Sequence, residues 1–258
     1  MVRIVLRPIA IELDAVTVTA AGSCSRPGPP DSARAPALAA LYGQVRGNAE
    51  RFAALAELFP FRYRMVRAFF ASGAASDTIW SVRDTVEYLS DGSVRYRPGD
   101  VVRWGPGPAG RVTRVLNLPT LLDIADSAFA ASHCFLFDGM VEVEGRRLVR
   151  MEYRAAESQA FSDIEGEVDL DPQSYQIRRA TVRLTHPGRA VPGLGAASTT
   201  MWFRELFPNI VIPVRIEGVQ VPDLQRRMAA RVARYTDEQR LIAVRFLRAL
   251  PDSTEPPP

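Results

Sequence analysis

Ile164-Glu165-Gly166-Glu167-Val168-Asp169-Leu170-Asp171-Pro172-Gln173-Ser174, continuing from Tyr175 to Thr185, is the stretch that decides the fold class. Side chains on a strand alternate between its faces. Ile164, Val168 and Leu170 therefore share one face, and Asp163, Glu165, Glu167, Asp169 and Asp171 share the other. Asp171-Pro172-Gln173-Ser174 has turn chemistry, so the stretch predicts an antiparallel hairpin with one apolar and one acidic face.

The same grammar extends in both directions. Phe135 to Val143 and Leu148 to Tyr153 flank Glu144-Gly145 and predict a second hairpin. Met201 to Val219 carries two strands broken at Pro208-Asn209, and Phe61 to Met65 alternates. Thr78 to Leu89 is strand-like and turns at Asp91-Gly92 into Val94-Arg95-Tyr96. Gly99-Asp100 and Gly105-Pro106-Gly107-Pro108 break the chain. Met228 to Tyr235 and Arg240 to Leu247 predict a last hairpin over Thr236-Asp237-Glu238, with a helix as the rival reading.

The period changes once. Leu38, Leu41, Val45, Ala49, Phe52, Leu55 and Phe59 recur at steps of three and four, the spacing of an amphipathic helix, and Pro60 ends it. A short second helix is predicted from Leu118-Pro119-Thr120 to about Ala131. Many antiparallel strands and one long helix make the expected class α+β and β-rich: a curved, half-barrel-like antiparallel sheet packed against that helix. The expected division is a terminal strand or strands at 1–20, a linker at 21–36, the sheet-and-helix domain at 37–250 and a disordered tail at 251–258.

Composition excludes several chemistries. The 32 basic residues are all arginine, against 29 acidic residues, for a net charge of +3. Without lysine there is no Schiff base, Walker A phosphate site or Ser-Lys dyad. The arginines are spread along the chain, whereas nucleic-acid binding calls for clustered basic residues with interleaved aromatics. No run of 18 apolar residues predicts a transmembrane helix. Met1 opens directly onto Val2-Arg3-Ile4-Val5-Leu6 with no signal peptide, which reads as a truncated start.

The chemistry-bearing residues are few. His133 and His186 are the only histidines, and no zinc-ligand spacing surrounds either. Ser132-His133-Cys134 sets nucleophile and base types side by side, but chain neighbours seldom face each other, so no dyad follows. No catalytic, cofactor or metal residue can be assigned. The alternating carboxylates admit a calcium reading. Positions two apart on a strand are about 7 Å apart, which favours a solvated face paired with arginines such as Arg179 and Arg183. Cys24 and Cys134 are the only cysteines. In a reducing compartment they are a linker thiol and a core thiol; in an oxidising one they are a disulfide candidate that closes about 110 residues.

Leu6, Pro8, Leu13, Val16, Val18 and Ala20 fit a strand of the form L-x-P-x-x-x-x-L-x-x-V-x-V-x-A. That strand resembles the closing strand of the bacterial carboxypeptidase-regulatory-like β-sandwich. Tyr63-Arg64-Met65-Val66-Arg67, His133-Cys134-Phe135 and Ile164 to Asp171 are similar to the distal part of such proteins, the last also to a hairpin of envelope proteins with lipoprotein-carrier-like half-barrels. The resemblance implies a periplasmic or secreted, non-catalytic binding or scaffolding domain whose sandwich and signal peptide lie upstream. It would hold an apolar ligand in the half-barrel or bind another envelope protein. The alternatives are a hydrolase with a site near His133, and an accessory domain docking to an outer-membrane partner through residues 14–20. An apolar cavity between the helix and the sheet would support the carrier reading. His133 bonded to a carboxylate in an open cleft would support the hydrolase.

Overall fold

The computed structural model describes residues 24–73, 77–90, 96–107, 112–116 and 120–248. The expected strands at 1–20, the turn at 91–92 with Val94-Arg95, and the tail at 251–258 lie outside the described residues.

Residues 24–35 carry no helix or strand but are fastened down. Cys24 is disulfide-bonded to Cys134, and the Gly28 amide donates to the His133 carbonyl at 3.0 Å. Helix α1 follows at Pro36–Leu58. Proline fits its first turn, where an amide would have no helical partner. Its apolar positions bury Leu38, Leu41, Tyr42, Val45 and Ala49, and it stops two residues before Pro60.

Nine strands form one antiparallel sheet: β1 Phe61–Ser72, β2 Thr78–Leu89, β5 His133–Val143, β6 Arg146–Ala155, β7 Ile164–Leu170, β8 Ile177–Leu184, β9 Leu194–Phe207, β10 Ile210–Pro222 and β11 Arg234–Phe246. Their order is β2-β1-β11-β10-β9-β8-β7-β6-β5, so the last strand fills the gap between the early pair and the later meander. β3 Val102–Pro106 and β4 Val112–Leu116 pair separately as a two-stranded ribbon. The β5–β6 turn uses Glu144 and Gly145, with φ of 50° and 76°, the left-handed pair that a two-residue hairpin needs.

The sheet is curved and open, and α1 lies across its concave face. Register aligns the inward side chains: Met151 is opposite Val168, Val168 opposite Ala180, Ala180 opposite Met201, and Met201 opposite Ile216. These residues join the buried face of α1 in one core.

Two expectations are corrected. The predicted helix at 118–131 is two short ones, α2 Leu121–Ile124 and α3 Ser127–Ser132. Asp126 accepts from the Ala128 amide at 2.7 Å and so caps a new start. The predicted last hairpin is a short helix, α5 Leu224–Ala230, followed by β11 alone. Thr236-Asp237-Glu238 is not a turn: Asp237 lies opposite Phe69 of β1 and Gly218 of β10. A strand bonded on both sides cannot fold back on itself there.

Candidate ligand cavity

Beside Phe52 of α1 the concave face is not filled by side chains. The resulting cavity has a volume of about 600 Å³. Its floor is concave-face side chains, among them Phe61, Tyr63, Met201, Phe203, Val211 and Ile216. Phe52 of α1, with Leu116 and Leu122 from the segment around β4 and α2, covers it. Both halves of α1 pack on the sheet, Leu38 to Ala49 in the main core and Ala56 with Phe52 and Leu55 against Phe61, Ile210 and Ile212, so the expected helix–sheet cavity touches the helix only at Phe52.

One end of the cavity is polar. Asp237, Gln239, Arg67, Tyr88 and Thr199 line it there, all at inward positions of their strands. Arg67 is buried and holds Asp84 through two bonds, Nε to Oδ1 at 2.8 Å and Nη2 to Oδ2 at 2.5 Å. Its Nη2 also donates to the Gly107 carbonyl at 2.8 Å. The Tyr88 hydroxyl donates to Gln239 Oε1 at 2.8 Å, and Gln239 Nε2 reaches Asp237 Oδ2 at 3.4 Å. Asp237 Oδ1 is buried without a hydrogen-bond partner. Burial pushes this carboxyl up to about 6, against the opposing pull of Arg67. Sequence reasoning missed this cluster. The available signal was a charged or amide side chain in apolar phase: Arg67 follows Tyr63 and Met65, Asp84 sits between Val82 and Val86, and Asp237 and Gln239 precede Leu241.

His133 lies elsewhere, in the solid core. It is fully buried, with Nδ1 2.9 Å from the Phe129 carbonyl and Nε2 2.8 Å from the Ile164 carbonyl. Asp163 is also fully buried and lies 3.9 Å away. The Tyr96 hydroxyl donates to Asp163 at 2.6 Å, and desolvation by burial raises the Asp163 carboxyl. There is no open cleft here, so the geometry set for a hydrolase site is not met. His186 is exposed, at the start of α4 Pro187–Ala190.

The acidic stripe divides. Asp163 turns into the core instead of sharing the outer face, because β7 begins only at Ile164. Asp171 holds its own turn, accepting from the Gln173 and Ser174 amides. The other three form an ion-pair ladder on the convex face. Arg179 and Arg183 of β8 stand directly opposite Asp169 and Glu165, and Arg150 of β6 grips Asp169 from the other side at 2.7 Å. No group of residues able to hold a metal ion is present among the described residues.

Comparison with known proteins corrects the expected kinship. No protein-family model and no curated protein matches the chain. Similar solved structures are a DUF1329 family protein from Desulfovibrio piger (12% identity, 82% of this chain and 95% of that one, TM-score 0.43) and a putative outer membrane lipoprotein-sorting protein domain from Vibrio parahaemolyticus (12%, 82% and 95%, TM-score 0.40). A LolA superfamily protein from Nitrosomonas europaea is a third (13%, 79% and 95%, TM-score 0.32). None is a carboxypeptidase-regulatory-like protein, and that assignment is withdrawn. The segments quoted for it within the described residues, on β1, β5 and β7, belong to one open sheet. Their alternation is what any strand with one buried face shows. No helix among the described residues is long and apolar enough to cross a membrane.

Proposed function

We propose that the chain is a non-catalytic binding protein of the bacterial envelope that holds an apolar ligand on the concave face of its half-barrel-like sheet. The cavity carries this reading. At about 600 Å³ it falls in the size range of small-molecule sites, and it has their character: mostly apolar walls with a few polar groups. A monomeric domain gains stability by filling such a space with its own side chains, and here Gly218 and Ala197 face into it instead. The Cys24–Cys134 bond supports an oxidising compartment, where disulfides persist. The partner is then a lipid-like molecule or the acylated part of another envelope protein.

The test is titration with N-phenyl-1-naphthylamine, an uncharged dye that fluoresces in apolar sites. The expected result is saturable binding that Gly218→Leu abolishes and Gly218→Ala retains. A methyl at 218 would meet Thr199 and Asp237 at ordinary contact distances of 3.5–3.6 Å, whereas leucine would fill the space. Absence of saturable binding to the native protein, or full binding by a folded Gly218→Leu variant, overturns the reading.

A further inference from the structure

Resting on that reading, we infer that the occupant is an amphiphile with a cationic, ammonium-type head, seated with its head on Asp237 and its chain along the apolar floor. Three observations converge. The first is charge. Arg67, Asp84 and Asp237 bring one positive and two negative groups to one end of a desolvated cavity, and Arg67 is committed to Asp84 by two bonds. Asp237 lines the cavity with one carboxylate oxygen desolvated and unbonded, and a desolvated charge calls for a partner.

The second is hydrogen bonding. The donors around Asp237 point elsewhere: Tyr88 to Gln239, and Arg67 to Asp84 and the Gly107 carbonyl. Gln239 gives Asp237 Oδ2 a long 3.4 Å contact, and Oδ1 has none although it is buried. A carboxylate oxygen accepts only, so what completes it must donate. An ammonium donates and supplies the opposite charge together.

The third is shape. Gly218 stands beside Asp237 across β10 and leaves the carboxylate uncovered toward the cavity. On its other flank is Phe69, its cross-strand neighbour. Phe69 packs between Tyr235 and Trp80, with ring centroids 5.9 and 5.5 Å away. That aromatic row bounds the carboxylate on the side away from Gly218. A carboxylate- or phosphate-headed amphiphile would meet Asp237 as a like charge.

The experiment displaces bound N-phenyl-1-naphthylamine with dodecylamine, dodecanol and dodecanoate at pH 7.5, each below its micellar limit. The native protein should take dodecylamine at least tenfold more tightly than either of the others. Asp237→Asn should lose that preference, each affinity being read against the variant's own dye titration. Equal displacement by all three, tighter dodecanoate, dodecanol matching dodecylamine, or an undiminished preference in Asp237→Asn overturns the assignment of the head while leaving the cavity reading intact. Failure of the dye itself to bind removes the cavity reading, and this inference with it.

Discussion

The imidazole of His133 lies flat on the ring of Phe129, with centroids 3.9 Å apart and planes within 5°. The same two residues are joined again, through His133 Nδ1 and the Phe129 carbonyl within α3. Nε2 meets the Ile164 carbonyl at the start of β7. His133 therefore staples α3 to the sheet edge. His133→Leu should cost about 2–4 kcal/mol, since it orphans two buried carbonyls and leaves Asp163 with one fewer polar neighbour. Urea denaturation measures the loss, and a change below about 0.5 kcal/mol would contradict the stapling role.

Reduction of Cys24–Cys134, or replacement of both cysteines by serine, should destabilise strongly. The bond closes a loop of 110 residues, and the chain-entropy argument gives about 4.7 kcal/mol for a loop of about that size. Guanidine unfolding with and without dithiothreitol tests this. Equal midpoints would show that residues 24–35 contribute little once untied.

Two glycines should respond with opposite sign. A methyl on Gly166 would lie 1.9 Å from the Thr181 carbonyl oxygen and 2.8 Å from the Tyr153 hydroxyl. Neither group can yield without separating β7 from β8 or displacing a fully buried tyrosine. Gly166→Ala should therefore cost about 2 kcal/mol or more. Gly43 lies within α1 with nothing near the added methyl, and Gly43→Ala should stabilise by about 0.5–1 kcal/mol. Thermal unfolding of the two variants resolves both signs.

Asp237 should make the empty protein pH-dependent in an unusual direction. Its folded-state value near 6 lies above the unfolded value of about 3.9, so the folded form takes up the proton first. The group weakens the fold above pH 6, and the penalty fades as pH falls from about 6 to about 4. Asp237→Asn should thus raise Tm at pH 7.5 and leave it unchanged near pH 4. Asp171 has the opposite sign. Backbone amides from Ser174 and Gln173 and the charge of Arg178 outweigh its desolvation and lower it. Its contribution holds at neutral pH and is lost as pH falls through its depressed folded value.

The convex ladder predicts a cost without a metal. Asp169 is buried beneath Arg150 and Arg179, and Asp169→Asn should cost about 1.5–3 kcal/mol, the range for bonds to charged groups. Millimolar calcium should leave Tm of the native protein unchanged. A calcium-dependent rise would reinstate the cation reading of the stripe.

Much of this was legible in the residues, for identifiable reasons. Helix α1 announced itself through unbroken three- and four-residue spacing ended by Pro60. The hairpins around Glu144-Gly145 and Pro208-Asn209 followed from local turn chemistry. Sequence also proposed arginine partners on β8, since neighbours in a hairpin are close in the chain. Arg150 went unforeseen because it reaches Asp169 from β6, across a connection with no tight turn. β11 was misread because what keeps Asp237 in a strand is pairing with β1 and β10, far away in the chain. The same distance hid the cavity, whose polar end unites β1, β2 and β11.

The Cys24–Cys134 bond also has a mechanical consequence. A chain stretched by its two ends transmits load through that bond and bypasses everything between. The bypassed length is 110 residues, about 400 Å of contour at roughly 3.6 Å per residue. It contains α1 and the first four strands, and so one whole wall of the cavity. Under tension the later strands would peel away while this part stayed slack. Only after reduction would the full contour appear in a force–extension trace.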